Sequence, residues 1–126
     1  FTYPVEAVAV QYGTGCGTVS LSAYLPYAGN ENFTVNASTL PAGSVAILFM
    51  ALGSSALPLD ALGMTSCVFN LDPASILLNV VGRSARIPLG DVPLITGDLY
   101  FQTLYTNPGA NPAGLQATRG LRCQVR

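Results

Sequence analysis

Cys16 lies in the segment "QYGTGCGTVS", residues 11–20, where three glycines surround it. A Gly-rich loop of this kind can cradle a phosphate group or present a reactive thiol. The phosphate alternative fails because the segment has no Gly-Lys-Ser/Thr ending and leads into strand-like rather than helix-like sequence. The chain also contains no histidine and no lysine that could activate the thiol. The glycines therefore predict a sharp backbone turn that brings the Cys16 sulfur against a second loop.

Carboxylates are the main remaining candidates for catalysis or metal binding, and the chain has six of them. Most glycosidases place two carboxylates around the scissile bond, and Asp-x-Asp-x-Asp loops bind calcium. No such spacing occurs here, because the aspartates are scattered along the chain: Asp60, Asp72, Asp91 and Asp98. We expect each of them at a turn, and we expect no enzymatic activity, no metal and no cofactor.

Three cysteines, Cys16, Cys67 and Cys123, allow three single disulfide pairings with one thiol left over. A disulfide is expected in an exported domain, and a bridge from Cys16 to Cys67 would contribute about 4 kcal/mol in the chain-entropy model. Cys123 alternates with Leu121 and Val125 on the expected buried face of a C-terminal strand. We therefore predict a buried, small apolar side chain for Cys123; an intermolecular bridge through it is the less favoured alternative.

Ionic groups are scarce, because 9% of the residues are charged whereas 50% are hydrophobic. Five arginines and six carboxylates leave a net charge of −1, so like-charge repulsion does little to keep copies apart. Nucleic acid is disfavoured as a partner because phosphate binding needs a basic stripe. Three arginines near the C-terminus are interpreted as a solvated strand face rather than an anion site: Arg119, Arg122 and Arg126.

We expect no membrane span, because a spanning helix needs about 20 apolar residues and the longest apolar run, 44–53, is only strand-length. Phe1 stands where a methionine or a basic leader would begin a nascent exported chain. This start is expected of a mature exported chain or of a fragment. We predict an extracellular or cell-surface location.

Short apolar segments rich in Val, Ile, Thr, Tyr and Phe alternate with Gly and Pro, and no long segment keeps a helical period. The pattern predicts about eight strands, with a break at Gly82 in the sixth, over residues 2–11, 18–25, 32–37, 44–52, 67–71, 76–87, 99–106 and 115–125. We expect one all-β domain over residues 1–126, a β-sandwich of jelly-roll-like or Greek-key topology.

The N-terminal strand, residues 1–11, is apolar on both faces and therefore needs cover on both sides. Pro4 removes a backbone donor and favours an edge position. An edge strand of this kind can add to the sheet of a neighbouring copy. We predict self-association through its apolar side chains: Phe1, Tyr3, Val5, Val8 and Val10.

Two further groups of residues are candidate surface sites. Tyrosine rings can stack on sugars, although half-buried tyrosines are also ordinary in a β-sandwich; the candidates for ligand stacking are Tyr24, Tyr27, Tyr100 and Tyr105. The triplets beginning at Asn32 and Asn36 fit the N-glycosylation acceptor pattern. Such triplets are common by chance in a Ser/Thr-rich chain, so the sequence alone favours unmodified asparagines.

Four motifs in order resemble a small domain of exported proteins of planctomycete-type bacteria, often their C-terminal module: "YGTGCG", "ALPLDALGMTSCVFNL", "RIPLGDVPLITGDLYFQTLYTNPGANPAG" and "TRGLRCQV". The resemblance covers residues 12–125. It implies an exported, all-β module in which Cys16 pairs with Cys67, leaves Cys123 as a departure from the pattern, and brings no catalytic residues. Residues 1–11 lie outside it and are the part specific to this protein.

These observations favour an extracellular structural protein that binds copies of itself, as the subunit of a filament or surface layer. One alternative is a secreted carbohydrate-binding module that takes a surface glycan on its tyrosines. Another is a sorting or anchoring domain of a longer exported protein.

Overall fold

The computed structural model describes residues 9–24, 34–38, 40–86 and 97–125. They form eleven strands and two short 3₁₀ helices, Asp60–Leu62 and Pro73–Ser75. The strands are β1 (Ala9–Tyr12), β2 (Leu21–Tyr24), β3 (Thr34–Ala37), β4 (Ala46–Ala51), β5 (Ser54–Pro58), β6 (Val68–Leu71), β7 (Ile76–Val81), β8 (Ser84–Arg86), β9 (Gly97–Thr106), β10 (Leu115–Ala117) and β11 (Gly120–Val125). The all-β prediction is confirmed.

Antiparallel pairing organises these strands into three sheets. The largest has the order β1-β11-β9-β4-β7, and β10 pairs with the C-terminal end of β9. A second sheet has the order β2-β3-β8, and β5 pairs with β6 in a separate hairpin. Among the described strands, β1 and β7 are therefore the two edges of the six-stranded sheet.

The main core lies between the six-stranded and three-stranded sheets, which makes the fold a β-sandwich. Alternate residues of each strand point into this space, as the period of two requires. The six-stranded sheet contributes Leu48, Phe101 and Leu121, and the other sheet contributes Leu21 and Val35. All of these side chains are buried.

The β5–β6 hairpin covers part of the outer face of the six-stranded sheet. Phe69 of β6 meets Phe49 of β4 edge to face, with ring centroids 6.0 Å apart. A second, small core forms below the hairpin around Met64, Cys67 and Ala117. The outer face is thus covered over β9 and part of β4, and the position of this cover decides which parts of the sheet remain exposed.

Two differences from the predicted strands exceed a shift of a few residues at their ends. The sequence pattern missed β5. The predicted strand over residues 115–125 is two strands, because the three residues between Ala117 and Leu121 lie opposite the two residues between Leu104 and Phe101. This extra residue is a bulge-like irregularity that separates β10 from β11. The predicted break at Gly82 is confirmed.

Candidate functional site

The loop around Cys16 joins the six-stranded sheet to the β5–β6 hairpin. Cys16 and Cys67 form a disulfide across a sequence separation of 51 residues. The Cys16 backbone N–H also donates to the carbonyl of Ala117 at 3.0 Å. The loop is therefore a covalent fastener, as the sequence and the resemblance predicted.

Close approach explains the glycines of this loop. Only Gly13 among its three glycines has a positive φ, of 70°. A Cβ on Gly15 would lie 2.8 Å from the backbone nitrogen of Arg119, and a Cβ on Gly17 would overlap the Tyr105 hydroxyl. A side chain at Gly15 would push the loop away from the β10–β11 turn, and one at Gly17 would push it away from β9 and β10. The sequence predicted a sharp turn, but two of the three glycines are required by packing.

Gln102 of β9 holds the hairpin on the sheet from a fully buried position. Its Oε1 accepts a hydrogen bond from the Asn70 backbone N–H at 2.8 Å. Its Nε2 donates to the carbonyls of Val68 at 2.8 Å and Thr118 at 2.9 Å. One amide thus satisfies three backbone groups from β6 and the β10–β11 turn. The sequence analysis did not select Gln102, although a Gln inside the apolar run "LYFQTLY" is a signal for such a role.

Tyr12 anchors the C-terminal end of β1. Its hydroxyl donates to the Asn70 carbonyl at 2.7 Å, and its ring meets Tyr100 edge to face at 5.7 Å. The ring also lies on Gly120, where a Cβ would overlap it. Burial, and secondly the electrostatic interaction with Tyr100, raise the pKa of Tyr12, so its hydroxyl stays protonated at neutral pH. β1 is thereby fixed to the same hairpin that the disulfide holds.

The predicted ligand-stacking tyrosines do not form one surface. Tyr105 is only 1% exposed in the main core, so its ring cannot stack on a ligand and this assignment is wrong. Its hydroxyl has no hydrogen-bond partner among the described residues, and burial raises its pKa, a shift that the nearby Val19 backbone partly opposes. Tyr100 is half-buried on the opposite face of β9, against Tyr12. The Tyr24 side chain and all of Tyr27 lie outside the described residues.

Only one of the two candidate glycosylation sites, Asn36, lies among the described residues. Asn36 is exposed on β3, between Ser22 of β2 and Ser84 of β8 in the neighbouring strands. Asn32 lies outside the described residues. Glycosylation therefore stays a prediction, and Asn36 is accessible to a modifying enzyme.

The described aspartates stabilise turns or the pairing of neighbouring strands. Asp60 accepts from the Ser66 backbone N–H at 2.7 Å, and Asp72 accepts from that of Ala74 at 3.0 Å, as expected at turns. Asp98 was also expected at a turn, which is wrong: it lies in β9 and pairs with Arg122 of β11 at 3.1 Å. Asp91 lies outside the described part of the chain. Within that part, no three His, Cys, Asp or Glu side chains come together as a metal site.

Cys123 is a free thiol in the main core. Burial raises its pKa to about 12, so it remains a neutral thiol at physiological pH. Leu121 is buried beside it, which confirms the predicted inner face of β11 for these two residues. The Val125 side chain lies outside the description, as does Arg126.

The two sheet edges are the remaining candidate site. β1 presents Val10 with 54% of its surface exposed, and β7 presents Leu77 at 48% and Val81 at 72%. The other predicted self-association residues lie outside the described residues: Phe1, Tyr3, Val5 and Val8. Arg119 and Arg122 flank β1, where Arg119 Nε donates to the Gly13 carbonyl at 3.1 Å. Both edges combine exposed apolar side chains with a backbone side that no other described strand pairs with.

No family model, curated protein or solved structure matches this chain. The planctomycete-type resemblance and the predicted functions accordingly stay predictions. Among the described residues, none of the helices is long and apolar enough to cross a membrane.

Proposed function

We propose that this protein is an extracellular, non-enzymatic structural protein that binds copies of itself through its N-terminal strand, as the subunit of a filament or surface layer. The observation that carries the proposal is the edge position of β1 in the six-stranded sheet. Residues 1–8 lead directly into this edge and carry Phe1, Tyr3, Val5 and Val8. An apolar strand entering a sheet edge is the arrangement used in β-strand addition.

The register of β1 supports an intermolecular role for the preceding residues. Ala9 lies opposite Cys123, and β11 ends at Val125. If this register continued, residue 7 would face the end of β11. Residues 1–6 would then extend past Val125, the last described residue of β11, and we propose that their apolar side chains bind a second copy.

Two general properties support the location and the mode of association. The Cys16–Cys67 disulfide is of the kind that persists in oxidising compartments such as the extracellular space. The net charge of −1 opposes close approach of copies only weakly. The carbohydrate-binding alternative depends on tyrosine rings that can stack on a sugar. It has lost support because Tyr105 is buried and Tyr100 packs against Tyr12.

The test is the assembly state of the full chain with its disulfide intact, measured by sedimentation velocity and electron microscopy. We expect oligomers or filaments, and we expect Val5→Asp to raise the concentration at which they form by about tenfold. Ala42→Asp places the same charge in an exposed turn and is the matched control. A full chain that stays monomeric at its highest soluble concentration contradicts the proposal.

A further inference from the structure

Among the described strands, β7 is an edge strand of the six-stranded sheet. Natural sheet edges carry charges, prolines, bulges or a covering segment that prevent pairing with another chain. β7 has the sequence ILLNVV, without a charge or a proline. Its pairing with β4 is irregular only near the Met50/Ala51 step. The part of β7 beyond that step is regular, and no other described strand pairs with it.

The outer-face side chains of β7 are also exposed. Leu78 and Val80 pack on the main core, whereas Leu77, Asn79 and Val81 alternate with them on the outer face, so two of the three exposed side chains are apolar. The β5–β6 hairpin contacts the outer face as far as Phe49 of β4, which it meets through Phe69. An incoming strand could therefore pair with the β7 backbone while its side chains cover Leu77 and Val81.

Residues 1–8 of the chain match this edge in length and composition. Eight extended residues span about 26 Å, and the six residues of β7 span about 20 Å. Glu6 is the only charged residue of the segment. Pro4 lacks an N–H, so the segment suits pairing along one side only.

Intramolecular pairing is disfavoured by distance. β1 and β7 are separated by four strand spacings in the sheet order β1-β11-β9-β4-β7, at least about 19 Å. A segment of about 26 Å that crossed this distance would keep only about two residues for pairing. A second copy can align the whole segment along β7 without this loss.

We propose that β7 accepts residues 1–8 of a second copy as an added strand, so that the six-stranded sheet of one copy continues into the next. This inference rests on the proposed self-association and assigns its acceptor surface. Donor and acceptor are different parts of the chain, so each copy donates once and accepts once. Such heterologous contacts generate open filaments unless the rotation between copies closes a ring.

The acceptor is tested by adding a charge to the exposed face of β7 in the full chain. Val81→Lys should raise the concentration at which assembly begins by about tenfold, because the added strand would have to bury the ammonium group. Leu62→Lys is the matched control: Leu62 is 70% exposed, close to the exposure of Val81, but lies in the 3₁₀ helix Asp60–Leu62. The control should assemble as the unsubstituted chain does.

A complementation experiment tests whether both variants keep their fold. The Val81→Lys chain still carries an intact donor segment, and the Val5→Asp chain still carries an intact β7. Each alone should stay monomeric near the threshold concentration of the unsubstituted chain. An equimolar mixture should form one-to-one dimers and no larger species, because only one of the two junctions can form.

The outcomes separate this inference from the function on which it rests. If Val5→Asp abolishes assembly but Val81→Lys assembles normally, or if the mixture gives no dimer, β7 is not the acceptor although the chain self-associates. If the unsubstituted chain does not assemble at all, both the proposed function and this inference are overturned.

Discussion

At the scale of single residues, Gln102 is the side chain on which the attachment of the hairpin depends most. Replacement by Leu would leave the Asn70 N–H and the Val68 and Thr118 carbonyls without their present partner beside a fully buried side chain. Each buried unsatisfied group costs about 1–3 kcal/mol. We expect Gln102→Leu to lower the free energy of unfolding by about 3 kcal/mol or more, measured by urea denaturation.

Gln116 provides the matched control for this prediction. It also makes side-chain hydrogen bonds, to the Cys16 carbonyl at 2.9 Å and from Asn107 Nδ2 at 2.8 Å, but it is only half-buried. Water can replace these partners, so Gln116→Leu should cost clearly less. Equal losses for the two variants would show that burial of the Gln102 network is not decisive.

At the scale of secondary-structure elements, the disulfide and the hairpin form one unit. The double variant Cys16→Ser/Cys67→Ser frees a closed segment of 51 residues, and the chain-entropy model then predicts a loss of about 4 kcal/mol in unfolding free energy. Amide exchange should accelerate first in β5 and β6, because without the disulfide they are attached only by non-covalent contacts: the Gln102 network, the Tyr12–Asn70 hydrogen bond, the Phe49–Phe69 contact and the small core. Mass spectrometry of β2 and β3 peptides is the internal control; equal acceleration there would contradict a local role.

The elements that the sequence predicts well are those whose own side chains determine their conformation. β4 was predicted because its apolar run is bounded by Gly, and the inner face of β11 was predicted because Leu121 and Cys123 alternate with polar residues. β5 was missed because "SSALP" is polar and contains proline. Its extended state depends on pairing with β6 and on Ser55, whose hydroxyl donates to the Leu71 carbonyl at 2.6 Å.

The sequence predicted only the part of the candidate site that a local side-chain pattern determines. The two-sided apolar pattern before Gln11 is what suggested the proposed donor segment, since such a pattern is unusual for a strand with one solvated face. Strand order, in contrast, is a long-range property, and nothing within ILLNVV indicates an edge strand. The burial of Tyr105 was likewise invisible, because tyrosine serves equally well in a core and at a binding surface.

At the scale of the whole molecule, the few charges make a prediction about what holds copies together. Assembly by strand addition depends on backbone hydrogen bonds and apolar burial, and the chain offers only five arginines and six carboxylates for ion pairs. Raising NaCl from about 0.1 M to about 1 M shortens the screening length from about 10 Å to about 3 Å. We expect the sedimentation profile of assembled material to stay unchanged or to shift toward larger species over this range, because weak mutual repulsion is screened while apolar contacts persist. Dissociation by salt would instead identify ion pairs as the main contacts between copies, and it would contradict a junction built from residues 1–8 and β7.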